Sequence, residues 1–422
     1  MRANELESQG VSMTAWAFAS LGVRSEPLMD ALAEAAIKLH DEFKPQNVAN
    51  TTWAFATLSI FNEPLVSALV ADARRMVQEF DGQEIANTVW AMAQLLVWHG
   101  PLFEALAGEA ISKVAECSPQ SRSNTMWAFA KISVSVKPLL TAMASAAVST
   151  GLSQYSRQDI SSTLWSCAAL AMPDTPLVNA IASFARCHLV EFAGSELANM
   201  VWAFATLAVH DSPLLESIAI RAALSLAEFE WQSLANTIWA YADVLLRDAP
   251  LLDAIAKEAL TRIREAEPQG LANTAWACAI LAFVHKPLLS AIAVTAALAL
   301  EPRGSANILW AFAILRFKHS PFITKLATFA VPALREFQPQ SLSNTAWALA
   351  EMRCLNGRPL LSFVGEEFLR RSPLHFLEGH FLGKQPFAPV RWPESLQDVD
   401  VVRQKLPAST ARAIFCREVN HF

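Results

Sequence analysis

An asparagine stands three residues before a tryptophan at eight places: Asn50, Asn87, Asn124, Asn199, Asn236, Asn273, Asn307 and Asn344. A glutamine stands seven residues before one of the regularly spaced tryptophans at eight places as well: Gln9, Gln46, Gln83, Gln120, Gln158, Gln232, Gln269 and Gln340. Four residues after the tryptophan the side chain changes from copy to copy: Ser20, Thr57, Gln94, Lys131, Ala169, Thr206, Asp243, Ile280, Ile314 and Glu351. On a helix, offsets −7, −3, +1 and +4 share one face. The spacing therefore predicts a ridge of glutamine, asparagine, a small residue and one varying residue. Carboxamides donate and accept, so such a row can read base edges or peptide backbone. The varying position is the better candidate for specificity, above all Thr57, Gln94, Lys131, Thr206, Asp243 and Glu351. The plainer alternative is a ladder in which the amides tie neighbouring loops together.

The elements that position this ridge follow from the tryptophans. They stand at Trp16, Trp53, Trp90, Trp127, Trp165, Trp202, Trp239, Trp276, Trp310 and Trp347, mostly 37 residues apart. A fixed period of this size is the signature of a solenoid. A proline follows each tryptophan after 11 residues in nine copies and 12 in the last, from Pro27 to Pro359. Proline disfavours helix in the residue before it and suits the first turn of a new helix. Each unit thus reads as two helices, A carrying the tryptophan and B opening on the proline. Asn47, Ser121, Asp159, Ser233 and Ser341 are expected at the N-caps of helix A. Three residues are missing between Pro287 and Trp310, which predicts a shortened second helix or loop. Alanine or serine flanks each tryptophan, so the indole is expected to fill the core between close helices, with base stacking as the alternative. The expected fold is all-α, a right-handed α-solenoid of about ten helix-turn-helix repeats over residues 1–370. An extension of unknown role follows at 371–422.

Bulk properties narrow the function. The chain is 53% hydrophobic and 17% charged, which excludes disorder. Its net charge is −6, whereas nucleic-acid-binding domains are typically basic. RNA binding would need local clusters of cations, and the candidates are Arg122, Lys131, Lys137, Lys286, Arg303, Lys318 and Lys325. Six scattered cysteines form no CxxC pair and suggest reduced thiols. No apolar run is long enough for a membrane span. Met1 to Gln9 shows neither a signal core nor a presequence, so the chain is expected to be cytosolic or to lack its natural start. No nucleotide-binding, hydrolase or zinc motif occurs, so neither an enzyme nor a cofactor nor a metal is expected. His375 and His380 are poorly spaced for zinc, and Glu366-Glu367 and Arg370-Arg371 read as solvated helix surface.

The string L-A-N-T-x-W-A-x-A, as in Leu234 to Ala242 and Leu271 to Ala279, resembles the octotricopeptide repeat family and its heptatricopeptide variant. The resemblance covers about residues 9–370 and carries no recognisable RAP domain. It implies an organellar protein, mitochondrial or chloroplast, that binds single-stranded RNA in RNA stability, processing, translation or ribosome assembly. The competing expectation is a protein-binding α-solenoid scaffold, which the acidic balance and apolar content favour.

Overall fold

The computed structural model describes residues 7–353 and 358–371, so the extension and its two histidines lie outside the described residues. These residues form twenty helices, with no strand among them. They divide into two compact units, one through Val209 and one from His210.

In the first unit the helices are α1 (Ser8–Ser20), α2 (Glu26–Lys38), α3 (Pro45–Thr57), α4 (Glu63–Arg75), α5 (Gly82–Gln94), α6 (Gly100–Ser112), α7 (Pro119–Lys131), α8 (Lys137–Thr150), α9 (Arg157–Ala169), α10 (Thr175–His188) and α11 (Gly194–Thr206). The second holds α12 (Ser212–Ser225), α13 (Trp231–Asp243), α14 (Ala249–Thr261), α15 (Pro268–Ile280), α16 (Lys286–Ala296), α17 (Pro302–Ile314), α18 (Ser320–Ala333), α19 (Pro339–Glu351) and α20 (Arg358–Arg371). Within each unit the hairpins stack in chain order as an α-solenoid. The odd-numbered A helices form one layer and the even-numbered B helices the other, and the A layer is packed more closely. The reason is side-chain size: the alanine after the tryptophan is fully buried at Ala54, Ala91, Ala128, Ala203, Ala240, Ala277, Ala311 and Ala348, and alanines let helix axes approach.

The A helices begin earlier than expected. Lys44, Ser118, Ser156, Glu230 and Gln338 are the N-caps, and Asn47, Ser121, Asp159, Ser233 and Ser341 sit three residues inside. There Asn47 and Asp159 accept the cap residue's own N–H, the reciprocal half of a capping box. Helix B opens as the prolines predict, and its cap lies two residues before the proline. Asn62, His99, Asp174, Asp211, Asp248, His285 and His319 each accept a backbone N–H through the side chain.

Helix A ends on a left-handed residue in every described repeat. Only the first is glycine, Gly22; the others are Ser59, Leu96, Ser133, Ala171, Ala208, Leu245, Ala282, Arg316 and Arg353. The expected shortening falls on α16, which has 11 residues where the other B helices have 13 or 14. Glu367 is not solvated surface: it is buried and pairs with Arg370 at 2.6 Å. No helix among the described residues is long and apolar enough to cross a membrane.

Candidate nucleic-acid interface

At about 100° per residue, offsets 0, −7, +4 and −3 fall within about 60° of arc, and +1 lies about 40° beyond. Burial follows this order. The glutamines are exposed, every ridge asparagine is half-buried, and the +1 residue is inside. The outward face of helix A therefore reads glutamine, asparagine and the varying residue, with the tryptophan beside them at a depth that differs between repeats; the expected small +1 residue belongs to the core.

The tryptophans are consequently not the deepest anchors. Trp202, Trp239 and Trp276 are buried, as core packing requires, whereas Trp53, Trp90, Trp127, Trp165, Trp310 and Trp347 are half-buried and Trp16 is 48% exposed. Pairs from neighbouring repeats lie ring against ring, Trp90–Trp127 at 6.2 Å, Trp165–Trp202 at 6.0 Å and Trp239–Trp276 at 6.3 Å. The buried anchors are aromatics two after the tryptophan (Phe55, Phe129, Phe204, Tyr241, Phe312) and ten before it (Phe43, Phe80, Tyr155, Phe192, Phe229, Phe337). Those at −10 end the turn that follows helix B, a signal present in the sequence at the same period.

The first unit brings Asn50, Asn87, Asn124 and Asn199 onto the outward face of α3, α5, α7 and α11. Among the described residues, none of these four side chains has a hydrogen-bond partner, and the same holds for Asn273. Thr57 and Gln94 are exposed, Lys131 and Thr206 half-buried. In the fifth repeat Ser162 replaces the asparagine. The smaller side chain leaves a polar pocket of about 270 Å³ between α7 and α9, lined by Gln120, Asn124, Gln158 and Ser162 with Ser123, Ser156 and Asp159.

The second unit arranges its amides differently. Gln232 donates to Asn236 and Gln340 to Asn344, both at 2.9 Å, and Asn344 donates to Asn307 across one repeat at 3.5 Å. The ladder reading holds there in part. Elsewhere neighbouring repeats are tied by other groups: Asn47 donates to Ser12 at 2.9 Å, Lys113 to the carbonyls of Gln78 and Phe80, and Arg262 to those of Ala227 and Phe229. Asp243 is half-buried and Glu351 exposed.

The basic candidates scatter. Arg122 is 4% exposed and spends its guanidinium on Thr150 and Tyr155 at 2.9 and 3.0 Å, so it is removed from any surface role. Lys325 lies on helix B. Arg303 takes the glutamine position of α17, where burial holds its pKa below the ordinary value. Lys131 ends α7, Lys137 and Lys286 open α8 and α16, and Lys318 lies on the connection from α17 to α18.

The sequence profile of the RNA-editing substrate-binding complex 6 protein matches twice, over residues 1–175 and 153–356. Together the matches reach into both units and span the ten tryptophans that set the repeat. The chain belongs to this family. Members are named for an RNA-related complex, which agrees with a helical-repeat protein carrying an amide face. No curated protein matches the chain. Membership in the RNA-editing substrate-binding complex 6 family gives the half-buried asparagines a context that the fold alone does not.

Proposed function

We propose that the chain is a non-catalytic subunit of an RNA-editing substrate-binding complex and holds single-stranded RNA along the outward face of its A helices. Bases lie at the asparagine and the varying position, about one per repeat, as in other helical-repeat readers. One observation carries this reading. Asn50, Asn87, Asn124 and Asn199 occupy helix interiors, where asparagine is a poor helix former, and their side chains have no hydrogen-bond partner among the described residues. Their amides are available to an external ligand. The family name supports RNA as that ligand, and the resemblance to organellar repeat proteins supports an organellar setting, mitochondrial or chloroplast.

A subunit of a complex also needs protein contacts. Phe61, Leu96 and Trp98 supply apolar surface on the A-to-B connections of the second and third repeats, all three being more than half exposed.

The test is Asn50, Asn87 and Asn124 changed together to alanine, with binding to labelled single-stranded RNA read by anisotropy. An amide paired with a base edge is worth at least about 1 kcal/mol, so removing all three should lower affinity about 100-fold or more. Alanine is the better helix former, so helicity and stability should hold or rise. Unchanged affinity would refute the reading, and a loss of stability would give these residues to the fold.

A further inference from the structure

The second unit carries a cationic edge that neither the composition nor the amide pattern announces. At its last three A-to-B junctions, Lys286 at the start of α16 and Arg316, Lys318 and Arg353 on the connections are all exposed, and none makes an ion pair among the described residues. The acidic residue near them is Glu351, two positions before Arg353. The connections follow α15, α17 and α19, which pack side by side in that order, so the cations stand beyond the same end of neighbouring A helices.

This edge is built rather than loose. Arg316 and Arg353 hold the same left-handed position one repeat apart, at φ 52° and 48°. In the first two connections a phenylalanine stacks on the histidine two residues later, Phe283 on His285 at 6.0 Å and Phe317 on His319 at 6.4 Å. Each histidine in turn accepts the N–H that opens helix B, from Leu288 and from Phe322, both at 3.2 Å. With Nδ1 accepting, the neutral ring carries its proton on Nε2, a further donor. Lys286 stands at the first position of α16, where the helix dipole repels a cation. Its placement therefore works against helix stability and calls for another explanation.

We infer that this edge binds the phosphates of single-stranded RNA whose bases lie on the amide face of the same repeats. The inference rests on the reading proposed above. The edge begins roughly 3 Å along the helix axis beyond the varying position, so one strand can reach both. The guanidinium forks of Arg316 and Arg353 match phosphate oxygens pairwise. An acidic protein segment is the competing ligand, but it would leave the neighbouring amide of Asn273, which has no hydrogen-bond partner among the described residues, without a role.

The experiment uses the full chain with Lys286, Arg316, Lys318 and Arg353 changed together to glutamine. Affinity for a labelled oligouridylate is followed against salt. Four phosphate contacts on a single strand contribute about 2.8 to the slope of log affinity against log salt. Between about 50 and 200 mM salt the unaltered chain should therefore lose about 50-fold more affinity than the variant. Exchanging lysine and arginine at the four positions should restore the slope. Asn273, Asn307 and Asn344 changed to alanine should lower affinity at an unchanged slope. An unchanged slope in the glutamine variant overturns the cationic edge while leaving the amide face standing. An unaltered chain that binds no RNA overturns both. Equal displacement of the RNA by polyglutamate of matched charge assigns the edge to an acidic protein and also overturns the inference.

Discussion

Nine A helices end on a non-glycine residue in the left-handed region, and this makes a stability gain available. Consider Ser59, Leu96 and Ala171, with φ of 53°, 55° and 49°, each exposed. They close α3, α5 and α9 by the same two hydrogen bonds. At Ala171 these are its own N–H to Ala168 at 3.0 Å and the N–H of Met172 to Cys167 at 2.8 Å. The left-handed conformation costs an L-residue roughly 1–2 kcal/mol. Glycine removes that term but gives the unfolded chain more freedom, which takes back about 0.5–1 kcal/mol. No side-chain hydrogen bond is lost. Each glycine should therefore stabilise by about 0.5–1 kcal/mol, and the triple variant by about 1.5–3 kcal/mol if the sites act independently. Urea unfolding followed by helical circular dichroism measures this directly. Glu104→Gly, in the exposed middle of α6, is the control and should destabilise by roughly 1 kcal/mol. If the triple variant unfolds at lower urea, as the control does, the helix ends are not left-handed and the description of the turns is wrong.

Three further outcomes follow from the packing. A Cβ at Gly270 would lie 2.5 Å from Trp231 Nε1, so Gly270→Ala should destabilise by about 1–3 kcal/mol and shift tryptophan fluorescence. Arg122→Met should leave RNA affinity unchanged while lowering stability, since Tyr155 and Thr150 lose their buried donor; a selective loss of RNA affinity would contradict the assignment. Burial pushes the thiols of Cys167 and Cys278 up to about 12, whereas Cys187 is exposed. Iodoacetamide mapping of the folded chain should therefore mark Cys187 and spare the other two. Unfolded thiols ionise near 9, so the folded chain holds more protons between about 9 and 12 and loses stability as pH rises through that window, by about 1.4 kcal/mol per pH unit per thiol. The slope should be smaller in Cys278→Ala.

The repeat, its two helices and the short α16 were legible because tryptophan and proline punctuate the chain at fixed intervals. Helical period alone gave the asparagines and the varying residues a shared face; the asparagines are half-buried and Thr57 and Gln94 exposed, while the +1 residue predicted with them lies in the core. Three features escaped for separate physical reasons. The A-helix caps were misplaced by three residues because Asn47 and Asp159 have the chemistry of a cap but serve as its reciprocal partner. Tryptophan was assigned to the core on size, which holds for Trp202, Trp239 and Trp276, while in the other repeats its helical angle, beside the exposed glutamine, leaves it half-buried or exposed. Arg122 counted as a surface cation because its partner Tyr155 is 33 residues away, a relation no local pattern shows.

Net charge proved the least informative quantity, and the reason is structural. Asp81, Glu84, Asp159, Asp174, Glu196, Asp211 and Asp248 all accept backbone N–H groups at helix starts. Each such carboxylate faces the positive end of a helix dipole, which offsets part of its field. A repeat protein with twenty helices needs many caps, and acidic residues are good ones. These seven outnumber the formal net charge of −6, so the acidic balance is accounted for by what closes the helices. What a polyanion meets is local: a neutral amide face on the A helices, and Lys286, Arg316, Lys318 and Arg353 on one edge without ion-pair partners among the described residues. Screening confines the influence of the distant caps to about 10 Å at ordinary salt, so attraction at that edge survives an acidic total.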